Sequence, residues 1–214
     1  MTSTKSKKKL LRESRLYVII DKEVLKNKPI FNTVNKIKEA GVDIIQFRSK
    51  KSKKESILKD ALGLRKLLLN SQALFIINDY LDIAKMVDCD GIHLGQDDTS
   101  IEIARQVLGK DKIIGISCHN LRQAKNAQNR GADYISIGPV FSTSTKPEYK
   151  AIGPDLLREI KKKIKIPLFA IGGIDKNNIN KILSRGITRA AVCKAVCQAD
   201  NISLTIKDIS KILH

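Results

Sequence analysis

The stretch Gly91-Ile92-His93-Leu94-Gly95-Gln96-Asp97-Asp98-Thr99-Ser100-Ile101-Glu102-Ile103-Ala104-Arg105-Gln106-Val107-Leu108-Gly109 contains one whole strand-and-helix unit. Gly91 to Leu94 read as a short buried strand, and Gly95 to Asp98 make a polar corner that opens into residues of helical period. Thr99 and Glu102 have the spacing of a capping box, and Gly109 stands where a helix stop is expected after Ile103, Ala104, Val107 and Leu108.

The same unit recurs in both directions along the chain. Short runs rich in Ile and Val appear at Leu16 to Ile20, Asp43 to Phe47, Leu74 to Ile77, Ile113 to Ile116, Tyr134 to Ile137, Pro167 to Ile171 and Arg189 to Cys193. A helical stretch follows each one, which is the signature of parallel βαβ units. Ser52 with Glu55 repeats the capping-box spacing, Pro154 suits a first helical turn, and Gly41, Gly131 and Gly186 close their helices. The last helix is expected from about Leu204 to Leu213. Eight such units in 214 residues predict a single-domain α/β fold, a (β/α)8 TIM barrel over residues 14–214. A doubly wound sheet would carry a Gly-rich turn after its first strand, and Asp21-Lys22-Glu23 is not one.

Residues 1–13 carry Lys5, Lys7, Lys8, Lys9 and Arg12 and are expected to form a basic, disordered tail. The formal net charge is +18, but the lysines are scattered over almost every predicted helix with few aromatics between them. That pattern favours solvated helix faces over nucleic-acid binding, although a basic RNA-binding barrel stays open as an alternative. No apolar run has export or membrane-spanning length, so a cytoplasmic protein with no membrane partner is expected. Cys89, Cys118, Cys193 and Cys197 contain no Cys-x-x-Cys pair and read as thiols.

In a barrel the chemistry lies at the C-terminal ends of the strands. There the chain places Gln46-Phe47-Arg48-Ser49-Lys50, Asn78-Asp79, Asp97-Asp98, Ser117, Ser142 to Lys146, and Gly172-Gly173. Residues two apart share a strand face, so Gln46 and Arg48 point the same way, Lys50 can join them, and the converging charges need an anionic partner. That partner is either a substrate or a carboxylate of a neighbouring strand. Asp79 and Asp98, from adjacent strands, either cap the following helices or hold a cation between them; magnesium suits such a pair together with phosphate oxygens. Gly172-Gly173, before a helix expected near Asn177, leaves backbone N–H groups open to a phosphate, with Lys194 adding charge.

These motifs resemble the thiamine phosphate synthase and TenI family. The resemblance runs from Leu16 to about Asp200 and rests on Leu16 to Asp21, Gln46 to Lys50, Ile77-Asn78-Asp79, Gly91 to Asp98, Gly138 to Phe141, Thr143 to Lys146 and Ala170 to Ile174. It implies an enzyme that joins an aminopyrimidine methyl diphosphate to a thiazole phosphate, releasing pyrophosphate and forming thiamine phosphate. It further implies that Asp79 and Asp98 hold magnesium and that Arg48, Lys50, Asn78 and Lys146 hold the diphosphate. By the same resemblance Gln46 and Ser117 contact the pyrimidine and its diphosphate, and Thr143, Thr145 and Gly173 bind the thiazole phosphate. Arg48, Lys50, Ser117 and Lys146 are the catalytic candidates, and His93 reads as structural. Lys194 stands where the family commonly has Ser or Arg, and Ile20 where it often has Thr. The nearest alternative is a TenI-like thiazole tautomerase, which displaces no pyrophosphate and needs no full magnesium and diphosphate set.

Overall fold

The computed structural model describes residues 6–143 and 149–213. Helix α1 (Lys7–Glu13) precedes strand β1 (Leu16–Asp21); α2 (Lys22–Leu25) and α3 (Ile30–Glu39) lead to β2 (Ile44–Arg48), and α4 (Lys54–Leu68) leads to β3 (Leu74–Asn78). Next come α5 (Leu81–Met86), β4 (Gly91–Leu94), α6 (Ile101–Leu108), β5 (Ile113–Cys118), α7 (Leu121–Asn129) and β6 (Tyr134–Ile137). The chain continues through α8 (Gly153–Lys163), β7 (Leu168–Ile171), α9 (Asn180–Leu183), β8 (Ala190–Val192), α10 (Lys194–Cys197) and α11 (Ile202–Leu213). The strands close in sequence order into a barrel, with β8 pairing parallel to β1 through Leu16 and Ala190. The expected (β/α)8 architecture is therefore present.

Strand alternation divides the core in two. Leu16, Val18 and Ile20 point outward into the shell packed under the helices, whereas Tyr17, Ile44, Leu74, Ile76, Ile113 and Phe169 fill the barrel interior. Three inward rows start apolar and end polar. Ile44 is followed on its face by Gln46 and Arg48, Leu74 by Ile76 and Asn78, and Ile113 by Gly115 and Ser117. Hydrophobic burial thus closes the lower barrel, and the same strands deliver polar side chains to its upper mouth.

Aspartates fasten the other end. Asp43 accepts from the backbone N–H groups of Arg15 and Leu16, Asp90 from Phe75, and Asp133 from Ile114. The disordered tail expected for residues 1–13 is corrected here for residues 7–13, which form α1. Ser6 caps it by accepting from the backbone N–H of Lys9, Leu11 is buried against the interior cluster, and Lys7 and Lys8 pair with Asp90 and Asp133, each at 2.9 Å. A helix that buries an apolar side chain and satisfies its lysines offsets its ordering entropy, which charge counting alone cannot show.

The local punctuation is partly as expected. Gly109 ends α6 with φ 82°, and Pro154 lies in the first turn of α8. Two capping boxes are corrected: Ser100, not Thr99, caps α6 by accepting from Ile103, and α4 has Lys53 at its N-cap position with no side-chain cap. Ser52 instead accepts from the hydroxyl of Ser49 at 2.8 Å.

Candidate active site

A cavity of about 520 Å³ opens at the C-terminal mouth of the barrel. Gln46, Arg48, Asn78, Ser117, Thr143 and Gly173 all line it, so residues from the ends of β2, β3, β5, β6 and β7 share one space. Lys50, Asp79 and Asp98 form an adjoining cluster, joined to the cavity through Asn78, the chain neighbour of Asp79. Thr145 and Lys146 lie outside the described residues.

The carboxylate pair is real. Burial, then the Asp98 carboxyl beside it, hold Asp79 above the usual carboxylate range, and Lys50 offsets this in part from 3.1 Å. Asp79 is also placed in the left-handed region, with φ 63°, a conformation that favours Asp or Asn among side-chain-bearing residues. Neither aspartate caps a helix. Tyr80 holds the N-cap position of α5 with no side-chain bond, and Asp98 accepts from the backbone N–H of Gly95 at 2.6 Å. Two crowded, partly desolvated carboxyls suit a small divalent cation that keeps water and phosphate oxygens as its other ligands. Among the described residues no group of three or more His, Cys, Asp or Glu is suited to a metal, so the chain offers this pair rather than a closed cage.

Arg48 finds a carboxylate on the neighbouring strand. Its guanidinium donates to Asp21 and lies 3.9 Å from Glu23. Burial and the Glu23 carboxyl push Asp21 upward in pKa, against the lowering effect of Arg48. The carboxylate alternative is therefore present, and the Arg48 side chain still lines the cavity. Glu23 also organises the loop after β2, accepting from the backbone N–H groups of Lys50 at 3.1 Å and Lys51 at 3.0 Å. Asp21 and Glu23 are anchors that the sequence analysis does not single out; the available signal is one acid at the end of β1 and another two residues on, in α2, beside an arginine at the end of β2.

The glycine doublet is sterically required. Gly172 and Gly173 have φ values of 97° and 65°, and a Cβ on Gly173 would come within 2.6 Å of the Ser142 carbonyl oxygen. The helix expected near Asn177 is corrected: α9 begins at Asn180, and Asn178 instead donates its side-chain amide to the Gly173 carbonyl at 2.7 Å. The doublet therefore opens into a turn stapled by Asn178. Lys194 begins α10 and lines the same cavity.

His93 is buried, as expected for a structural residue, yet it also borders the cavity and meets Ser117 Oγ at 2.9 Å. His119 stacks on Tyr149 with ring centroids 4.2 Å apart and meets the Gly138 carbonyl at 2.6 Å; this pair was not anticipated.

Known proteins are similar to this chain over nearly its whole length. Residues 16–196 match the family described as thiamine monophosphate synthase. The thiamine-phosphate synthase of Lawsonia intracellularis is 38% identical over 198 residues, covering 92% of this chain and 91% of its own. That of Halalkalibacterium halodurans is 39% identical over 205 residues, covering 95% and 97%. The solved thiamine phosphate pyrophosphorylase of Pyrococcus furiosus superposes with a TM-score of 0.86 at 35% identity, covering 96% of each chain. The chain belongs to the thiamine monophosphate synthase family.

Proposed function

We propose that this chain is a transferase that joins an aminopyrimidine methyl diphosphate to a thiazole phosphate, giving thiamine phosphate and pyrophosphate. The observation that carries the reading is the Asp79–Asp98 carboxylate pair, bridged to Lys50, beside a cavity that also receives Arg48, Asn78, Gln46 and Ser117.

The bond to be broken lies between the methylene carbon and a diphosphate oxygen. As it lengthens, the amino group of the pyrimidine feeds electrons toward the carbon, and negative charge accumulates on the leaving group. Positive groups fixed in advance stabilise that charge without having to reorganise. Arg48, pinned by Asp21, and Lys50, held beside Asp79, have that role here. Magnesium bound at Asp79 and Asp98 would supply further positive charge to the diphosphate oxygens. Asn78 and Ser117 donate hydrogen bonds to the leaving group, and Gln46 orients the pyrimidine. Gly173 and Thr143 then hold the thiazole phosphate so that its ring nitrogen captures the carbocation. Lys146 and Thr145 are assigned to the diphosphate and the thiazole phosphate respectively.

All four cysteines are free thiols, and no helix among the described residues is long and apolar enough to cross a membrane. The free thiols support a reducing setting, which a cytoplasmic location would supply. The test is direct: purified protein, both phosphorylated precursors and magnesium should yield thiamine phosphate and pyrophosphate in equal amounts. Conversion of a thiazole isomer without pyrophosphate release would replace this reading with the tautomerase one.

A further inference from the structure

Gln46 on β2 and Ser117 on β5 are joined through the barrel interior by an unbroken series of hydrogen bonds. Gln46 Nε2 donates to the Tyr17 hydroxyl, which lies 2.8 Å from the Tyr134 hydroxyl. Tyr134 in turn meets His93 Nδ1 at 2.9 Å, and His93 Nε2 meets Ser117 Oγ at 2.9 Å and Ser136 Oγ at 3.3 Å. The series exists because the interior has room for two phenols. Gly115 lies in register with Tyr134, and a Cβ on it would fall 2.0 Å from the Tyr134 ring.

Such a series has a direction. Each phenol is fully buried and carries one proton, and burial pushes both phenols upward in pKa, so they stay protonated. A buried hydroxyl proton left unpaired is costly, so each phenol accepts from one neighbour and donates to the next. If Gln46 donates to Tyr17, then Tyr17 donates to Tyr134 and Tyr134 to His93 Nδ1. His93 then carries its proton on Nε2 and donates to Ser117 Oγ. This leaves the Ser117 proton available to a ligand and turns Gln46 Oε1 into the acceptor facing the cavity. Reversing any one link reverses them all.

Substrate chemistry asks for the same direction at both ends. An exocyclic amine needs an acceptor, which Gln46 Oε1 provides, and a diphosphate needs a donor, which Ser117 provides. We propose, on the reading of function given above, that Tyr17, Tyr134 and His93 are positioning residues: they hold a one-way hydrogen-bond series, with His93 as the neutral Nε2–H tautomer, that presents Gln46 as acceptor to the pyrimidine amine and Ser117 as donor to the departing diphosphate. The two ends are thereby linked. A diphosphate that requires the Ser117 proton also selects the Gln46 orientation that accepts from the amine N–H and so raises electron density on the group whose electrons expel the diphosphate.

The test reads the tautomer directly. Protein labelled with ¹⁵N at histidine is examined by NMR, free and with magnesium pyrophosphate, and His93 is assigned by removing the other two signals in His119→Gln and His214→Gln. A protonated Nε2 with an unprotonated Nδ1 is expected in both states; an Nδ1–H tautomer or an imidazolium overturns the proposal. This readout does not require turnover, so it stands or falls separately from the proposed reaction. In the active enzyme, Tyr17→Phe and Tyr134→Phe keep the ring packing against Phe169, at 5.5 and 5.7 Å, and remove only the link. Each should lower kcat about tenfold, the scale of one buried hydrogen bond, with KM for the pyrimidine diphosphate changed by less than about twofold. Unaltered kcat in both folded variants contradicts the proposal.

Discussion

Lys50 Nζ lies 3.1 Å from Asp79 Oδ2, yet Asp79 is still held above the usual carboxylate range, because burial and the Asp98 carboxyl outweigh this one ion pair. The site thus keeps its acid crowded, and the lysine that partly relieves it is half exposed. A divalent cation between the two carboxylates, as proposed above, would relieve that crowding.

Asp79→Asn removes one of the two crowded charges and keeps a side chain that tolerates the positive φ. In magnesium-free buffer it should raise the melting temperature by about 2–4 °C, corresponding to roughly 1 kcal/mol. A group whose folded pKa is raised loses stability as pH rises through that pKa, so the gain should be largest at neutral pH. It should fade as pH drops below the ordinary Asp value of 3.8. Calorimetry at several pH values checks this, and titration with magnesium should show binding lost in the same variant.

Arg48→Ala should lower turnover by about 10²-fold, the scale of losing one charge partner of the transition state. It also leaves Asp21, whose side chain is 1% exposed, without its guanidinium, so stability should fall too. Adding Asp21→Asn to Arg48→Ala should recover most of the stability and none of the turnover. Unfolding curves and steady-state rates measured on the same preparations separate the two effects.

Gly173→Ala forces a Cβ toward the Ser142 carbonyl oxygen in a backbone conformation of φ 65°. The loop must shift, and KM for the thiazole phosphate should rise at least tenfold while KM for the pyrimidine diphosphate changes little. Initial-rate measurements with each substrate varied in turn decide it.

Leu11→Ala should destabilise the protein by about 2–4 kcal/mol, the cost of deleting a buried leucine side chain. Leu11 is 2% exposed beneath the barrel interior. Equilibrium unfolding in urea is the measurement, and a change below about 0.5 kcal/mol would mean that α1 does not plug the barrel.

Most of the architecture was legible because hydrophobic period and turn chemistry are local. Gly91 to Leu94 and Tyr134 to Ile137 coincide with β4 and β6 as observed. Local pattern does not decide between two neighbouring residues that suit one role, such as Thr99 and Ser100 at the N-cap of α6. Helix α1 is not legible locally, because its stability comes from Leu11 and from aspartates far along the chain.

The candidate site divides in the same way. Gln46, Arg48, Asn78, Asp79, Asp98, Ser117 and Gly173 were identifiable from their places at strand ends, since the barrel fixes which end carries chemistry. Their partners were not: the Asp21 anchor of Arg48, the Asn178 staple of Gly173, and the Tyr17–Tyr134–His93 series all depend on contacts between distant segments. By itself the sequence determined the order of strands and helices, the polarity of each inward row and the family of the chain. Tertiary structure alone decided which polar atoms meet and which carboxylates are crowded. Periodicity acts along a chain, whereas hydrogen-bond partners and desolvation are set by distances across the folded space.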